Sequence, residues 1–142
     1  MEIVKYKKKH KKKKFLNNIK KFLGSLQYGF YGIKSVEHGI LTSRQIESIR
    51  QIFVKLTKRC GKLFLRLYFY HPLTAKPLLS RMGKGVGVIK AWISYIKKGT
   101  IFLEMLGVKK KLIIIIFTIL KIRLPIKIHL INREIFKMQN IA

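Results

Sequence analysis

The sequence predicts an α+β fold in which a mostly antiparallel sheet carries two helices packed on one face, with a long inter-strand loop and a basic N-terminal arm. This fold class is predicted by two kinds of pattern. In two stretches the apolar residues recur at helical spacing, and in several short stretches they alternate with other residues. A period of 3.6 residues indicates a helix, whereas a period of 2 indicates a strand. These elements follow the order strand, helix, strand, long loop, strand, strand, helix, strand, which is typical of α+β layers. The 142 residues need only one domain to bury a core.

The first half of the chain contains two predicted strands that flank a helix. Residues 24–37 carry aromatic and apolar residues between glycines and predict an irregular first strand, which a turn at 38–39 follows. Residues 62–70 alternate between two sets of side chains and predict a second strand. Residues 71–87 contain two prolines and three glycines and predict a loop, which at this length is usually functional or disordered.

A first helix is predicted from Thr42 to Arg59. Thr42 can cap it, and Gln45 stands at the third position of a capping box. Gly61 is expected to stop it. The stripe of apolar residues at helical spacing, expected to face the core, comprises Ile46, Ile49, Phe53 and Leu56.

The second half predicts a hairpin, a second helix and a last strand. Residues 88–97 and 101–105 are predicted strands, and a turn at 98–99 joins them as a hairpin. The second helix is expected over residues 108–123 and the last strand over 126–133. The chain is therefore divided into a basic arm (1–23), one domain (24–133) and a C-terminal tail (134–142).

An apolar run from Leu112 to Leu120 raises the question of a membrane span. The run has nine residues flanked by Lys111 and Lys121, whereas a span needs about 20 residues. A helix buried on a sheet is therefore the favoured interpretation, and no membrane span is expected.

Charge is the strongest constraint on function. Lysine and arginine number 32 against five acidic residues, which gives a formal net charge of +27. The positive charges of such a protein repel one another unless a polyanion neutralises them. A nucleic acid or an anionic membrane surface could provide the negative charge. Eight lysines in the first fourteen residues predict an arm that binds RNA, with a solvated tail as the alternative.

The composition disfavours enzyme chemistry. The chain has five scattered glutamates and no aspartate, so a nuclease using paired carboxylates or metal ions is disfavoured. Its single cysteine excludes an internal disulfide, and the four histidines lack metal-ligand spacing. No cofactor, metal or small-molecule substrate is expected, and no catalytic residue is assigned.

The predicted loop contains Arg81-Met82-Gly83-Lys84-Gly85-Val86-Gly87. Glycines allow close backbone approach and the basic side chains suit phosphates or base edges. The string fits neither GxxxxGK[ST] nor GxGxxG and opens no helix, so a nucleotide site is disfavoured. The aromatic residues Tyr28, Phe30, Tyr31, Tyr68 and Tyr70 are expected mostly in the core or its rim, with stacking on RNA bases as the alternative.

Several motifs, in order, resemble the large-subunit ribosomal protein L-sixteen family over about residues 28–133. They are Tyr31-Gly32-Ile33-Lys34-Ser35-Val36-Glu37, Leu41-Thr42-Ser43-Arg44-Gln45-Ile46-Glu47, Lys76-Pro77-Leu78, Arg81-Met82-Gly83-Lys84-Gly85, Glu104-Met105, Gly107-Val108 and Leu124-Pro125-Ile126-Lys127. The resemblance implies an α+β sandwich that binds large-subunit rRNA near the peptidyl-transferase centre, beside neighbouring ribosomal proteins. It also implies a loop that reaches tRNA acceptor ends and a role in positioning, with catalysis left to RNA.

The resemblance and the charge together assign two groups of site residues. The group expected on rRNA comprises Lys7, Lys8, Lys9, Lys11, Lys12, Lys13, Lys14, Arg44, Arg50 and Lys62. The loop group expected close to rRNA and tRNA comprises Lys76, Arg81, Met82, Gly83, Lys84 and Gly85.

Composition also suggests a location. The excess of Lys, Ile, Phe, Tyr and Asn is typical of an AT-rich organellar genome, and the N-terminal region lacks the features of a secretory signal or transit peptide. We therefore expect a mitochondrial ribosome in the matrix and an organelle-encoded chain, with a plastid or the bacterial cytoplasm as alternatives. A basic protein bound to a membrane surface is the rival interpretation of the function.

Overall fold

The alternating and helical stretches of the sequence become seven strands and two helices in the computed structural model, which describes residues 25–83 and 85–133. The predicted arm and tail, and Lys84, lie outside the described residues. The elements are β1 (Tyr31–Ser35), β2 (Gly39–Thr42), α1 (Ser43–Thr57), β3 (Lys62–Leu65), β4 (His71–Ala75), β5 (Val88–Ile96), β6 (Ile101–Leu106), α2 (Lys110–Arg123) and β7 (Ile128–Asn132).

All strand pairs are antiparallel, which together with the two helices confirms the predicted α+β class. The strands divide between two sheets. Sheet A has the order β3-β6-β1-β7, and sheet B has the order β2-β5-β4. In sheet A, β1 is an inner strand, with Ile33 opposite Leu103 of β6 and Leu130 of β7.

The predicted hairpin between the strands now labelled β5 and β6 is wrong. β5 pairs with β2 and β4 in sheet B, whereas β6 pairs with β1 and β3 in sheet A. The turn between them is held by β1 instead. The Gly99 N–H donates to the Ser35 carbonyl (2.8 Å) and the Ser35 N–H donates to the Thr100 carbonyl (3.0 Å), so the chain crosses from one sheet to the other.

The long loop predicted over 71–87 is shorter, because its first five residues form β4. The sequence does not predict this strand because it contains Pro72, and proline has no backbone N–H to donate to a neighbouring strand. It is tolerated because β4 is an edge strand that pairs with β5 alone. The strand predicted over 62–70 also ends early, at Leu65. The strand β2 is not predicted from the sequence, and its first residue, Gly39, falls in the predicted turn at His38-Gly39.

The capping box of α1 is confirmed. The Gln45 N–H donates to Thr42 Oγ1 (3.3 Å), and the Thr42 N–H donates to Gln45 Oε1 (2.8 Å). The helix end differs from the prediction, because Lys58 already adopts the left-handed conformation at the C-cap. Gly61 serves packing instead of stopping the helix. A Cβ added there would lie 2.6 Å from Val108 Cγ2.

One core joins both helices and both sheets. The helix α1 buries Ile46, Ile49 and Phe53 against it, as the helical spacing predicted. The apolar run of α2 also lies on this core, which supports the interpretation of that run as a packed helix. Its buried side chains are Ile113, Ile116 and Leu120. No helix in the described residues is long and apolar enough to cross a membrane.

A buried carboxylate holds the start of the domain to sheet A. Glu104 on β6 has no solvent exposure. It accepts backbone N–H bonds from Gln27 (3.1 Å), Tyr28 (2.7 Å) and Gly29 (2.9 Å) and a side-chain bond from Arg66 Nη1 (2.6 Å). Arg66 also donates to the Ser25 carbonyl (3.0 Å), so residues 25–29 are fixed over the sheet.

Burial alone would raise the pKa of Glu104. The N–H bonds from Tyr28 and Gly29, the Arg66 guanidinium and the Gln27 N–H outweigh that effect and hold the pKa below its usual value. The unfolded chain therefore binds a proton more readily than the folded chain at this site. The stability contributed by Glu104 is complete above the usual glutamate pKa of about 4.3 and is lost as the pH falls through the lower folded value.

We expect Glu104→Gln to lower the free energy of unfolding at neutral pH by about 1–3 kcal/mol, because a neutral amide cannot satisfy three N–H donors and the Arg66 guanidinium. The variant should also lose part of the acid sensitivity of the wild type. Urea denaturation between pH 3 and 7 measures both effects. Glu47→Gln, which removes an exposed carboxylate, is the control and should change stability little. Equal effects of the two substitutions would contradict the anchoring role of Glu104.

Candidate nucleic-acid interface

The loop of residues 76–87 joins β4 to β5 and begins at a narrow neck. A Cβ at Gly87 would lie 2.3 Å from the Ala75 carbonyl oxygen, so only glycine allows the two backbones to approach this closely. Lys76 Nζ donates to the Gly83 carbonyl (3.0 Å), and the Ser80 N–H donates to the Pro77 carbonyl (3.1 Å). The neck and these bonds shape the loop as a projection from the edge of sheet B.

Beyond the neck, the loop exposes large apolar side chains together with a cation. Leu78, Leu79 and Met82 have relative exposures of 103%, 100% and 93%, and Arg81 is also exposed. Gly83 (φ +101°) and Gly85 (φ +92°) supply left-handed backbone. The loop borders a cavity of about 600 Å³. This combination of apolar contact area and positive charge suits a nucleic-acid surface better than bulk water.

The residues assigned to rRNA on the body lie on separate elements. Arg44 and Arg50 are exposed on α1, and Lys62 is exposed at the start of β3, the edge strand of sheet A. Arg50 is held by a neighbour, because Nη2 lies 2.7 Å from Glu47 Oε1 and Nε lies 3.0 Å from Oε2. This hydrogen-bonded pair lowers the pKa of Glu47 and keeps it ionised. The seven assigned arm lysines, like Lys84, lie outside the described residues.

The expectation that most of the named aromatic residues belong to the core or its rim is wrong for four of them. Tyr28, Phe30 and Tyr70 are more than half exposed, and Tyr68 is 82% exposed. Tyr31 does pack against the core. Tyr28 stacks on Phe64 with ring centroids 5.4 Å apart. For Tyr68 and Tyr70 the early end of β3 at Leu65 accounts for the exposure, because both residues lie outside the strand that their alternation seemed to predict. These rings are available to stack on unpaired bases.

The described residues contain no cluster of three or more histidine, cysteine or glutamate side chains that would hold a metal ion. The geometry of the site is that of a binding surface, with exposed cations, exposed rings and a projecting loop.

We expect Gly87→Ala to open the neck of the loop, because its Cβ would meet the Ala75 backbone and not a movable side chain. The β4–β5 pairing should weaken at Ala75 and Val88, and the loop should become more sensitive to limited proteolysis while the core stays folded. Gly85→Ala is the control, since it has space for a Cβ and strains only its own backbone. Equal proteolysis rates for wild type and Gly87→Ala would contradict the tight neck.

A comparison with protein families agrees with these features. The family model of ribosomal protein L16p/L10e matches residues 1–131, which include both helices and the 76–87 loop. The match confirms the family resemblance read from the motifs. Proteins of this kind are structural parts of the ribosome and not enzymes. The chain therefore belongs to the ribosomal protein L16p/L10e family and is a structural constituent of the large ribosomal subunit.

Proposed function

We propose that the chain binds large-subunit rRNA near the peptidyl-transferase centre and that its 76–87 loop helps to position tRNA acceptor ends. The observation that carries the proposal is the loop itself, which exposes Leu78, Leu79, Arg81 and Met82 beyond a neck closed by Gly87. Fully exposed apolar side chains of this size indicate a surface that a partner covers.

Electrostatics supplies the affinity for RNA. With a formal charge of +27, the basic side chains of the folded domain repel one another, and binding to RNA phosphates would offset this repulsion. Binding would also release counterions condensed on the RNA, which favours the complex. Arg44, Lys62 and the arm lysines would contact rRNA phosphates, which position the protein without reading the base sequence. The exposed Tyr68 and Tyr70 rings would add stacking on unpaired bases.

The loop supplies the functional contact. Arg81 and Lys84 carry the charge, and Met82 carries a flexible apolar side chain that adapts to an irregular surface. The family resemblance of Arg81-Met82-Gly83-Lys84-Gly85 supports a position beside tRNA ends, where the chemistry belongs to RNA and the protein fixes geometry. Composition supports a mitochondrial ribosome as the location, with plastid and bacterial ribosomes as alternatives.

Sedimentation of a native extract tests the proposal first. The chain should migrate with the large subunit on a sucrose gradient at low salt and be partly released at high salt, because phosphate contacts weaken steeply with ionic strength. If the chain floats with membranes or stays at the top of the gradient at low salt, the ribosomal function is wrong and the rival membrane-surface interpretation gains support.

We expect the double substitution Arg81→Ala, Lys84→Ala to leave the fold intact, because the loop contributes little to the core. Subunit maturation or tRNA handling should be impaired, measured as accumulation of immature particles and slower translation. Lys121→Ala, Arg123→Ala is the matched control, since it removes the same two kinds of charge from the exposed face of α2. Loss of the circular dichroism signal, or equal defects in both variants, would contradict a separate role for the loop.

A further inference from the structure

The outward face of α2 carries isoleucines that the core does not use. Ile114, Ile115 and Ile122 have relative exposures of 51%, 49% and 81%, whereas the buried side chains of the helix lie on the side that faces the core. Ile119 is half-buried, and Ile115, Ile119 and Ile122 follow the i, i+4, i+7 spacing that aligns side chains along a helix. We call Ile114, Ile115, Ile119 and Ile122 the α2 ridge.

The other helix shows that such a face is not general in this chain. The helix α1 packs on the same core, and its exposed side chains are all polar or charged, namely Arg44, Glu47, Arg50, Gln51 and Lys55. The isoleucines of α1 are instead buried or half-buried, namely Ile46, Ile49 and Ile52. An exposed β-branched side chain does not favour helix formation over lysine, glutamine or alanine. The α2 ridge is therefore explained better by a contact than by folding of the helix.

Cations border the ridge at both ends. Lys110 and Lys111 are exposed at the start of α2, Lys121 and Arg123 are exposed at its end, and the helix contains no acidic residue. No side chain caps the N-terminus of α2, so a carboxylate from outside would be favoured there by the helix dipole and the lysines. From Lys111 to Lys121 the helix rises by about 15 Å. A complementary surface therefore has an apolar strip of this length with acidic groups at both ends.

Charge and chemistry disfavour several occupants of the ridge. RNA offers phosphates and base faces, and isoleucine has neither a donor nor a ring for them. A second copy of the chain would bring its own α2 cations against the same cations, and the N-terminal arm is also strongly basic. An acidic amphipathic helix meets both requirements, because its apolar stripe covers the ridge and its carboxylates face the lysines. The tail of residues 134–142, in which Glu134 and Lys137 balance each other, is the competing segment.

We infer that the α2 ridge docks an amphipathic helix of a neighbouring protein of the large subunit, and that acidic residues border the apolar stripe of that helix. A row of isoleucines along a helix fits the groove between side-chain rows of a facing helix. The interface lies apart from the 76–87 loop and requires neither the loop nor tRNA. It adds a protein contact to the RNA contacts of the proposed function.

Peptide binding to the full-length protein tests the chemistry of the ridge. One synthetic peptide carries leucines at i, i+4 and i+7 between glutamates, and a second peptide has the same composition in scrambled order. Fluorescence anisotropy should show that the wild type prefers the first peptide by about tenfold or more, because only an ordered stripe can cover the ridge. Both peptides have the same charge, so general attraction between a basic protein and an acidic peptide does not produce the difference.

Substitutions on the ridge separate binding from folding. Ile115→Gln, Ile122→Gln should abolish the preference for the ordered peptide. Glutamine forms helices at least as well as isoleucine, so this variant should unfold at or above the wild-type temperature. Ile115→Leu, Ile122→Leu keeps the apolar contact and should retain the preference. Arg81→Ala, Lys84→Ala changes only the loop and should retain it as well.

Carbodiimide crosslinking of the purified large subunit identifies the natural occupant. The reagent joins amines to carboxylates in direct contact, so Lys111 and Lys121 should be joined to carboxylates of another ribosomal protein. Those carboxylates should lie in a stretch with apolar residues at helical spacing. Crosslinks that lead only to Glu134 or to the C-terminal carboxylate of the same chain would assign the ridge to its own tail, and a lack of crosslinks at both lysines would contradict an acidic occupant.

The remaining outcomes also decide the inference. Equal binding of the two peptides by the wild type, or a preference that survives the glutamine substitutions, would overturn it. Flotation of the wild type with anionic phospholipid vesicles, lost in the glutamine variant, would assign the ridge to a membrane surface instead. If the loop variant shows no defect in tRNA handling or subunit maturation, the proposed function of the loop fails, whereas the peptide preference and the crosslinks still decide the role of the ridge.

Discussion

The buried Glu104 carboxylate is the interaction on which the arrangement of the domain depends. A charge without solvent exposure is costly unless polar groups surround it, and here three consecutive backbone N–H groups and the Arg66 guanidinium do so. Because Glu104 lies on β6, opposite Gly32 of β1 and Phe64 of β3, these bonds tie the entering segment to the middle of sheet A. Gly32 leaves room for Leu26 of the same segment, whose Cδ2 would lie 2.3 Å from a Cβ at that position.

The acidic residues of the described chain serve the structure and leave the surface cations largely uncompensated. Glu104 pairs with Arg66, Glu47 pairs with Arg50, and Glu37 accepts the Lys127 N–H (2.9 Å). These three are the glutamates within the described residues, and each is engaged. With so few carboxylates and most of them used internally, the excess positive charge can be neutralised only from outside. This balance favours a polyanionic partner.

One surface that presents this charge is the 76–87 loop. The loop leaves the body through a neck that Gly87 allows, and it exposes Leu78, Leu79 and Met82 beyond that neck.

The sequence by itself determined the features that depend on near neighbours in the chain. The capping box at Thr42 and Gln45, the apolar stripe of α1, the helical interpretation of the run in α2 and the family motifs are all encoded within a few residues, and each is confirmed. The α+β class followed from these elements. The assigned site residues stay predictions, since their contacts depend on a partner.

Only the tertiary structure decided which strands pair and which side chains are covered. Alternation marks a strand but carries no information about its partner, so β5 and β6 were predicted as a hairpin although they lie in different sheets. The strand β4 contains Pro72 and was therefore not predicted, and Tyr68 and Tyr70 lie beyond the end of β3 with exposed rings. The burial of Glu104 and the left-handed backbone of Lys58 and Arg59 also arise from contacts distant in sequence or from the path of the chain. Local periodicity reports the conformation of a segment, whereas its environment is set by residues that the fold brings to it.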